Sequence, residues 1–168
     1  MRRKTAEEKA RRDAVKRYLQ QYHTAKREMR ILEERRRTLS EELRGPSASA
    51  RWRSVPATKQ ACGNGADAVV LKIADVEERI ERQREDMACT VQGIMDLLDL
   101  LPAGSIARTV LALRHIDCKS WERIAADIHM SRSRAIDYYN AALAMLAQTE
   151  AGKAIERSDA IGRFGVLS

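Results

Sequence analysis

Two long stretches of this sequence repeat their apolar residues at alternating steps of three and four. In the first, Val15, Tyr18, Tyr22, Ala25, Met29, Leu32, Leu39 and Leu43 keep that step, with Arg36 as the one interruption. In the second it is kept by Val69, Ile73, Val76, Ile80, Gln83, Met87, Thr90, Ile94, Leu97 and Leu101. A seven-residue repeat places a narrow stripe along one side of an α-helix, the seam that two coiled helices share. Each stretch has a defined stop. Gly suits the position just past a helix end and Pro cannot continue a helix, so Gly45-Pro46 ends the first and Pro102-Ala103-Gly104 the second. The spacing predicts helices over about 5–44 and 66–101, with the first dozen residues, which lack the stripe, fraying.

The two helices differ in charge. Residues 1–44 carry 15 Lys/Arg against 8 Asp/Glu, whereas residues 66–101 carry 4 against 9. Opposite signs and matched seams favour folding back, so residues 1–101 are expected to form a long antiparallel coiled-coil hairpin with its loop at 45–65. The loop is small, polar and basic, with Trp52 between Arg51 and Arg53. A solvated loop with its Trp pinned on a neighbouring helix is favoured over a nucleic-acid grip by stacking and charge. A parallel homodimer through the first helix is the competing packing, and Leu19 and Ile31 are left over for a dimer contact. A two-helix hairpin has little core of its own and needs the C-terminal helices or a second subunit.

Residues 102–148 read as a three-helix domain. Ser105 caps a first helix that buries Ile106, Val110, Leu111 and Leu113. Trp121, Ile124, Ala125 and Ile128 form the apolar face of a second. Ser131 then caps a third, whose inner stripe is Ala135, Tyr138, Ala142 and Leu146. Ala125 is small where the last two helices must touch, and its spacing to Ala135 and Tyr138 is that of a DNA-binding helix-turn-helix. The plainer alternative is a helical hairpin of a bundle. On the outer face of the third helix remain Arg132, Ser133, Ile136, Asp137 and Asn140. Arg132 suits a bidentate contact to guanine, Ser133, Asp137 and Asn140 suit amino or carbonyl edges, and Ile136 suits a thymine methyl. Lys119, Ser120, Arg123 and Arg134 are expected at phosphates. Residues 149–168 read as a flexible tail holding at most a short helix near 153–157.

Ser120 to Leu146 resembles, without gaps, the DNA-binding part of region four of bacterial sigma factors. The matching features are Glu122 before Ile124, Ile128, Met130-Ser131-Arg132, Arg134, and Ala142-Leu143 with Leu146; the preceding SIARTVLALRHIDCKS resembles the helix before that motif. One position departs from the family: His129 stands where the turn usually has Gly, and a left-handed backbone there is less comfortable. The resemblance implies that Arg132 and Arg134 contact a promoter element. With its N-terminal hairpin the chain also resembles small phage and prophage late-transcription regulators. Sigma factors carry a further domain that reads and melts the other promoter element, and its absence here argues against starting transcription alone. The expected function is therefore sequence-specific binding of double-stranded DNA to regulate transcription, with RNA polymerase and a second copy joined through the coiled coil as further partners. The alternatives are a phage DNA-packaging or structural factor and a coiled-coil adaptor without specific DNA binding.

Catalysis is not expected. The sequence contains no GxxxxGK[ST], GxSxG or HExxH, and Glu85, Asp96 and Asp99 are spaced for a solvated face. Cys62, Cys89 and Cys118 form no CxxC pair and do not cluster with His23, His115 or His129, so neither zinc nor any other cofactor is expected. The cysteine usage suits a reducing cytoplasm. The basic N-terminus has no apolar run behind it, and no segment is long enough to span a bilayer. All-α, cytoplasmic and without membrane contact is the expectation.

Overall fold

The computed structural model describes residues 2–44 and 65–161, and every element among them is helical. In chain order these are α1 (Arg2–Arg44), α2 (Gly65–Leu98), α3 (Ile106–His115), α4 (Trp121–Asp127), α5 (Arg132–Gln148) and α6 (Glu150–Ala160). The expected loop at 45–65 lies, apart from Gly65, outside the described residues, as does the end of the tail beyond 161. No helix among the described residues is long and apolar enough to cross a membrane.

The chain divides into two compact units, residues 1–24 with 87–168, and residues 25–86. The division falls inside α1 and α2 and not at the expected boundary near 101. The reason is the core of the first unit. Ala14, Val15 and Leu19 of α1 and Ile94, Leu97 and Leu98 of α2 share one buried cluster with Leu101, with Val110 and Leu111 of α3, and with Ile124 of α4. Ala135, Tyr139, Ala142, Leu143 and Leu146 of α5 and Ile155 of α6 complete it. Leu19, expected as a spare dimer contact, is fully buried here and unavailable. Helix α1 also starts at Arg2, earlier than expected. Near its start Arg11 Nε donates to Glu156 Oε2 at 2.8 Å, and Arg17 pairs with Asp159. These contacts to α6 hold the turns that lack a seam.

In the second unit the seam positions Met29, Val76 and Ile80 are buried, and Gln83 Nε2 donates across to the Ala25 carbonyl at 3.3 Å. Ile31 (66% exposed) and Leu71 (71%) remain in solvent.

Residues 149–160 are a correction to the sequence reading. Eleven residues from Glu150 are helical, longer than the expected 153–157, and Ile155 is buried. Thr149 makes the junction. Its hydroxyl donates to the Leu146 carbonyl (2.7 Å) and accepts from Gly152 N–H (3.1 Å), ending α5 and capping α6 together. At Gly152 a Cβ would collide with the Leu146 carbonyl oxygen, so the close approach of α6 to α5 depends on this glycine.

Candidate nucleic-acid interface

Helices α4 and α5 are joined by a four-residue turn, Ile128 to Ser131, whose form follows from its hydrogen bonds. His129 N–H donates to the Ala126 carbonyl (3.1 Å) and Met130 N–H to the Ala125 carbonyl (2.9 Å). That pair of bonds closes a helix through a left-handed residue, and His129 has φ 54°. The position expected to need a left-handed backbone therefore has one, with His in place of Gly. Cys118, in the turn between α3 and α4, is left-handed as well (φ 57°). Ser120 and Ser131 cap the two helices, accepting from Arg123 N–H at 3.3 Å and Arg134 N–H at 3.2 Å. Ser105 does the same for α3 through Arg108 N–H at 3.3 Å, although Ile106 beside it is exposed rather than buried.

The expected inner stripe of α5 is incomplete: Tyr138 packs against the core as expected, but Tyr139, outside that stripe, lies deeper. Tyr139 is buried at 6% exposure, while Tyr138 is only half-buried, beneath the Arg134 guanidinium at 5.7 Å from the ring. Tyr139 has the partners that decide this. Its hydroxyl lies 3.2 Å from His115 Nε2, its ring stacks on His115 with centroids 5.7 Å apart, and the Trp121 ring meets it edge-on at 5.2 Å. Burial raises the Tyr139 phenol to about 12 and lowers His115 to about 3. The charges of His23 and Arg114 push His115 the same way; the Leu19 backbone opposes them, short of hydrogen-bond geometry, and Nδ1 has no partner. His23 Nε2–H donates to the Arg114 carbonyl (2.8 Å), and Arg114 in turn lies over Trp121 and donates to the Lys119 carbonyl (2.7 Å). This layer of rings fixes the approach to α4, and nothing in the sequence pattern singled it out.

Along α5, Arg132, Ser133, Asp137 and Asn140 stand in solvent, with Ile136 partly exposed among them. All five expected base-reading residues therefore share the outer side of one capped helix. Arg132 is 3.3 Å from Glu122, a pair with both side chains more than 60% exposed. So exposed a pair is screened by solvent and yields readily to a stronger partner. Glu122 is held below the ordinary carboxylate range by its own backbone N–H and the Ser120 hydroxyl, before Arg132 adds its charge.

The expected phosphate group is less uniform. Lys119 is committed, with Nζ 2.9 Å from Asp127 and 3.9 Å from Asp117. Lys119 holds Asp127 below its ordinary value. The Ser120 oxygen is occupied as a cap. Arg123 is 75% exposed and reaches Asp127 only at 4.0 Å, and Arg134 rests on Tyr138 at the start of α5. Arg123 and Arg134 are thus the more available pair, and neutralised Lys119 is the weakest member of the set. Comparison of the chain with protein-family models, with curated proteins and with solved structures finds no match.

Proposed function

We propose that this chain is a sequence-specific double-stranded DNA-binding regulator of transcription, of phage or prophage type, which lays α5 in the major groove. In this reading α4 and α5 are a helix-turn-helix like that of sigma region four, and α1 with α2 is a coiled-coil hairpin. The observation that carries it is the turn at His129. A bulky residue is held left-handed between two Ser-capped helices, and the outer side of the second helix is left with Arg132, Ser133, Ile136, Asp137 and Asn140. A left-handed residue closes many helices, and Cys118 does so before α4; what an ordinary bundle hairpin does not need is a polar outer face so rich in base-reading side chains. Arg132 exchanges Glu122 for guanine, Asn140 and Ser133 take neighbouring edges, and Arg123 and Arg134 hold phosphates. Asp137 repels phosphate and favours an amino edge such as that of cytosine.

One motif of this size buries modest surface and binds weakly alone. A second copy joined through residues 25–86, where Ile31 and Leu71 are exposed, or attachment to RNA polymerase, would supply the rest. The test is selection of bound duplexes from a random pool, with Arg132→Ala/Arg134→Ala beside the wild-type protein. Loss of good bidentate contacts costs about 1–3 kcal/mol each, so the enriched motif should vanish in the variant. No enrichment by the wild-type protein, with only salt-sensitive binding shared by both, would overturn the reading in favour of a coiled-coil adaptor.

A further inference from the structure

The charged groups of the first unit are not distributed evenly. Every Lys and Arg on α3 to α6 has a partner at hand. Arg108 meets Asp99, Lys119 and Arg123 meet Asp127, Arg132 meets Glu122 and Lys153 meets Glu150. Arg114 and Arg134 lie on rings, and Arg157 donates to a carbonyl. On α1, Arg11 and Arg17 turn to the carboxylates of α6. Lys9, Arg12 and Lys16 do not. All three are exposed, and among the described residues none has an ion pair or hydrogen bond.

Their spacing puts them together. Steps of three and four set Lys9, Arg12 and Lys16 in one exposed row along the helix, beside the buried Val15 and Leu19, over a rise of roughly 10 Å. Glu8 and Asp13 flank the row, and Asp13 acts on Arg17. Three like charges in a row repel one another and stabilise nothing in the isolated fold. A strand of duplex DNA passes a phosphate every ~3.4 Å of axis, so a row of this length can meet two or three.

We propose that the exposed face of α1 bearing Lys9, Arg12 and Lys16 is a phosphate-binding surface for the backbone of double-stranded DNA, separate from the base-reading face of α5. It rests on the DNA-binding reading for its ligand and supplies what that site lacks. On α4 and α5 each cation already has a carboxylate or a ring beside it, whereas here none has an ion pair to give up before counterions are released.

The experiment uses the full chain and the triple variant Lys9→Gln/Arg12→Gln/Lys16→Gln, with Lys9→Arg/Lys16→Arg as a charge-preserving control. Unchanged helical circular dichroism is expected for both, since the three side chains lie in solvent. Affinity is measured from 50 to 200 mM salt on the selected duplex and on a scrambled one. Each phosphate contact contributes about 0.9 to the slope of log affinity against log salt. The triple variant should lose about 2–3 from that slope on both duplexes, so that the wild-type advantage at 50 mM shrinks by about 40-fold at 200 mM. The preferred sequence should stay the same, and the Arg control should keep the wild-type slope. A slope unchanged in the triple variant, or lost equally in the Arg control, overturns the proposal. Failure of the base-reading site looks different: the wild-type protein would then bind both duplexes equally while the triple variant still lost its slope.

Discussion

The register of α5 can be tested through two adjacent tyrosines. Tyr139→Ala removes a ring that is only 6% exposed, against His115 and Trp121, while Tyr138→Ala removes one that is partly buried at the edge of the core under Arg134. Burying an aromatic ring withdraws about 150–250 Å² from water, which at about 25 cal/mol per Å² is roughly 4–6 kcal/mol at most. Truncation to Ala in a core that relaxes only partly costs about 3–5 kcal/mol. The His115 Nε2 left without the Tyr139 hydroxyl adds about 1–3 kcal/mol, because its Nδ1 already lacks a partner. Tyr139→Ala should therefore cost roughly 4–8 kcal/mol, or a fall in Tm of about 10–30 °C for a chain of this size. Tyr138→Ala should cost about 1 kcal/mol, within the range of a partly exposed substitution. Thermal and urea unfolding of both variants, followed by circular dichroism at 222 nm, measures the difference. If Tyr138→Ala were the more damaging, α5 would be turned by about 100°. Tyr139 would then be turned away from His115 and Trp121, and the ring layer that joins α5 to α3 and α4 would fail with it.

Two further perturbations probe the same unit. His115 is held neutral with its folded value near 3 against an ordinary 6.5, so between those values the unfolded chain binds a proton that the folded one does not. Its contribution is complete above pH 6.5 and declines as pH falls, by about 1.4 kcal/mol per unit, or roughly 2 kcal/mol between pH 6.5 and 5. Urea midpoints across that range should show the decline, and His115→Gln should flatten it; an equal decline in the variant would mean that carboxylates carry it. His129→Gly removes the left-handed penalty of about 1–2 kcal/mol and adds about 0.5–1 kcal/mol of chain entropy, a net gain of roughly 0.5–1 kcal/mol. His129→Val should lose stability instead, and a gain from Val would contradict the turn geometry.

Where the sequence reading held and where it slipped have separate physical causes. All ten seam positions from Val69 to Leu101 are buried or half-buried, because a seven-residue step leaves no choice of face once sustained over several turns. In α5 the same step is ambiguous over one turn: from Ala135 a step of three reaches Tyr138 and a step of four reaches Tyr139, and Ala142 follows either. Two identical residues cannot be separated by pattern. A partner 24 positions earlier, His115, decides between them. Helix α6 was under-read because Ala151 and Gly152 look like loop composition, whereas small residues are what lets it approach the end of α5. The five outward residues of α5 were legible from caps and spacing. The commitments of Lys119 to Asp127 and of Arg132 to Glu122 were not, since both cross between segments of different register.

The ring layer also changes what the first helix is. Tyr139 of α5 rests on His115 of α3, the His115 ring meets His23 of α1 edge-on at 5.7 Å, and His23 binds the carbonyl of Arg114, which lies over Trp121 of α4. Four helices therefore meet through consecutive contacts, and Val15 and Leu19 lie in the same core as Ile124 and Ala135. Two short helices such as α4 and α5 cannot bury enough surface to hold their own geometry, and here α1 contributes to the core that they lack. The residues of α1 that face inward thus brace α5, while Lys9, Arg12 and Lys16 remain exposed. The phosphate-binding role proposed for α1 would account for a feature that a spacer would not need: a first half that is apolar enough to join a core and yet keeps three cations unpaired in solvent.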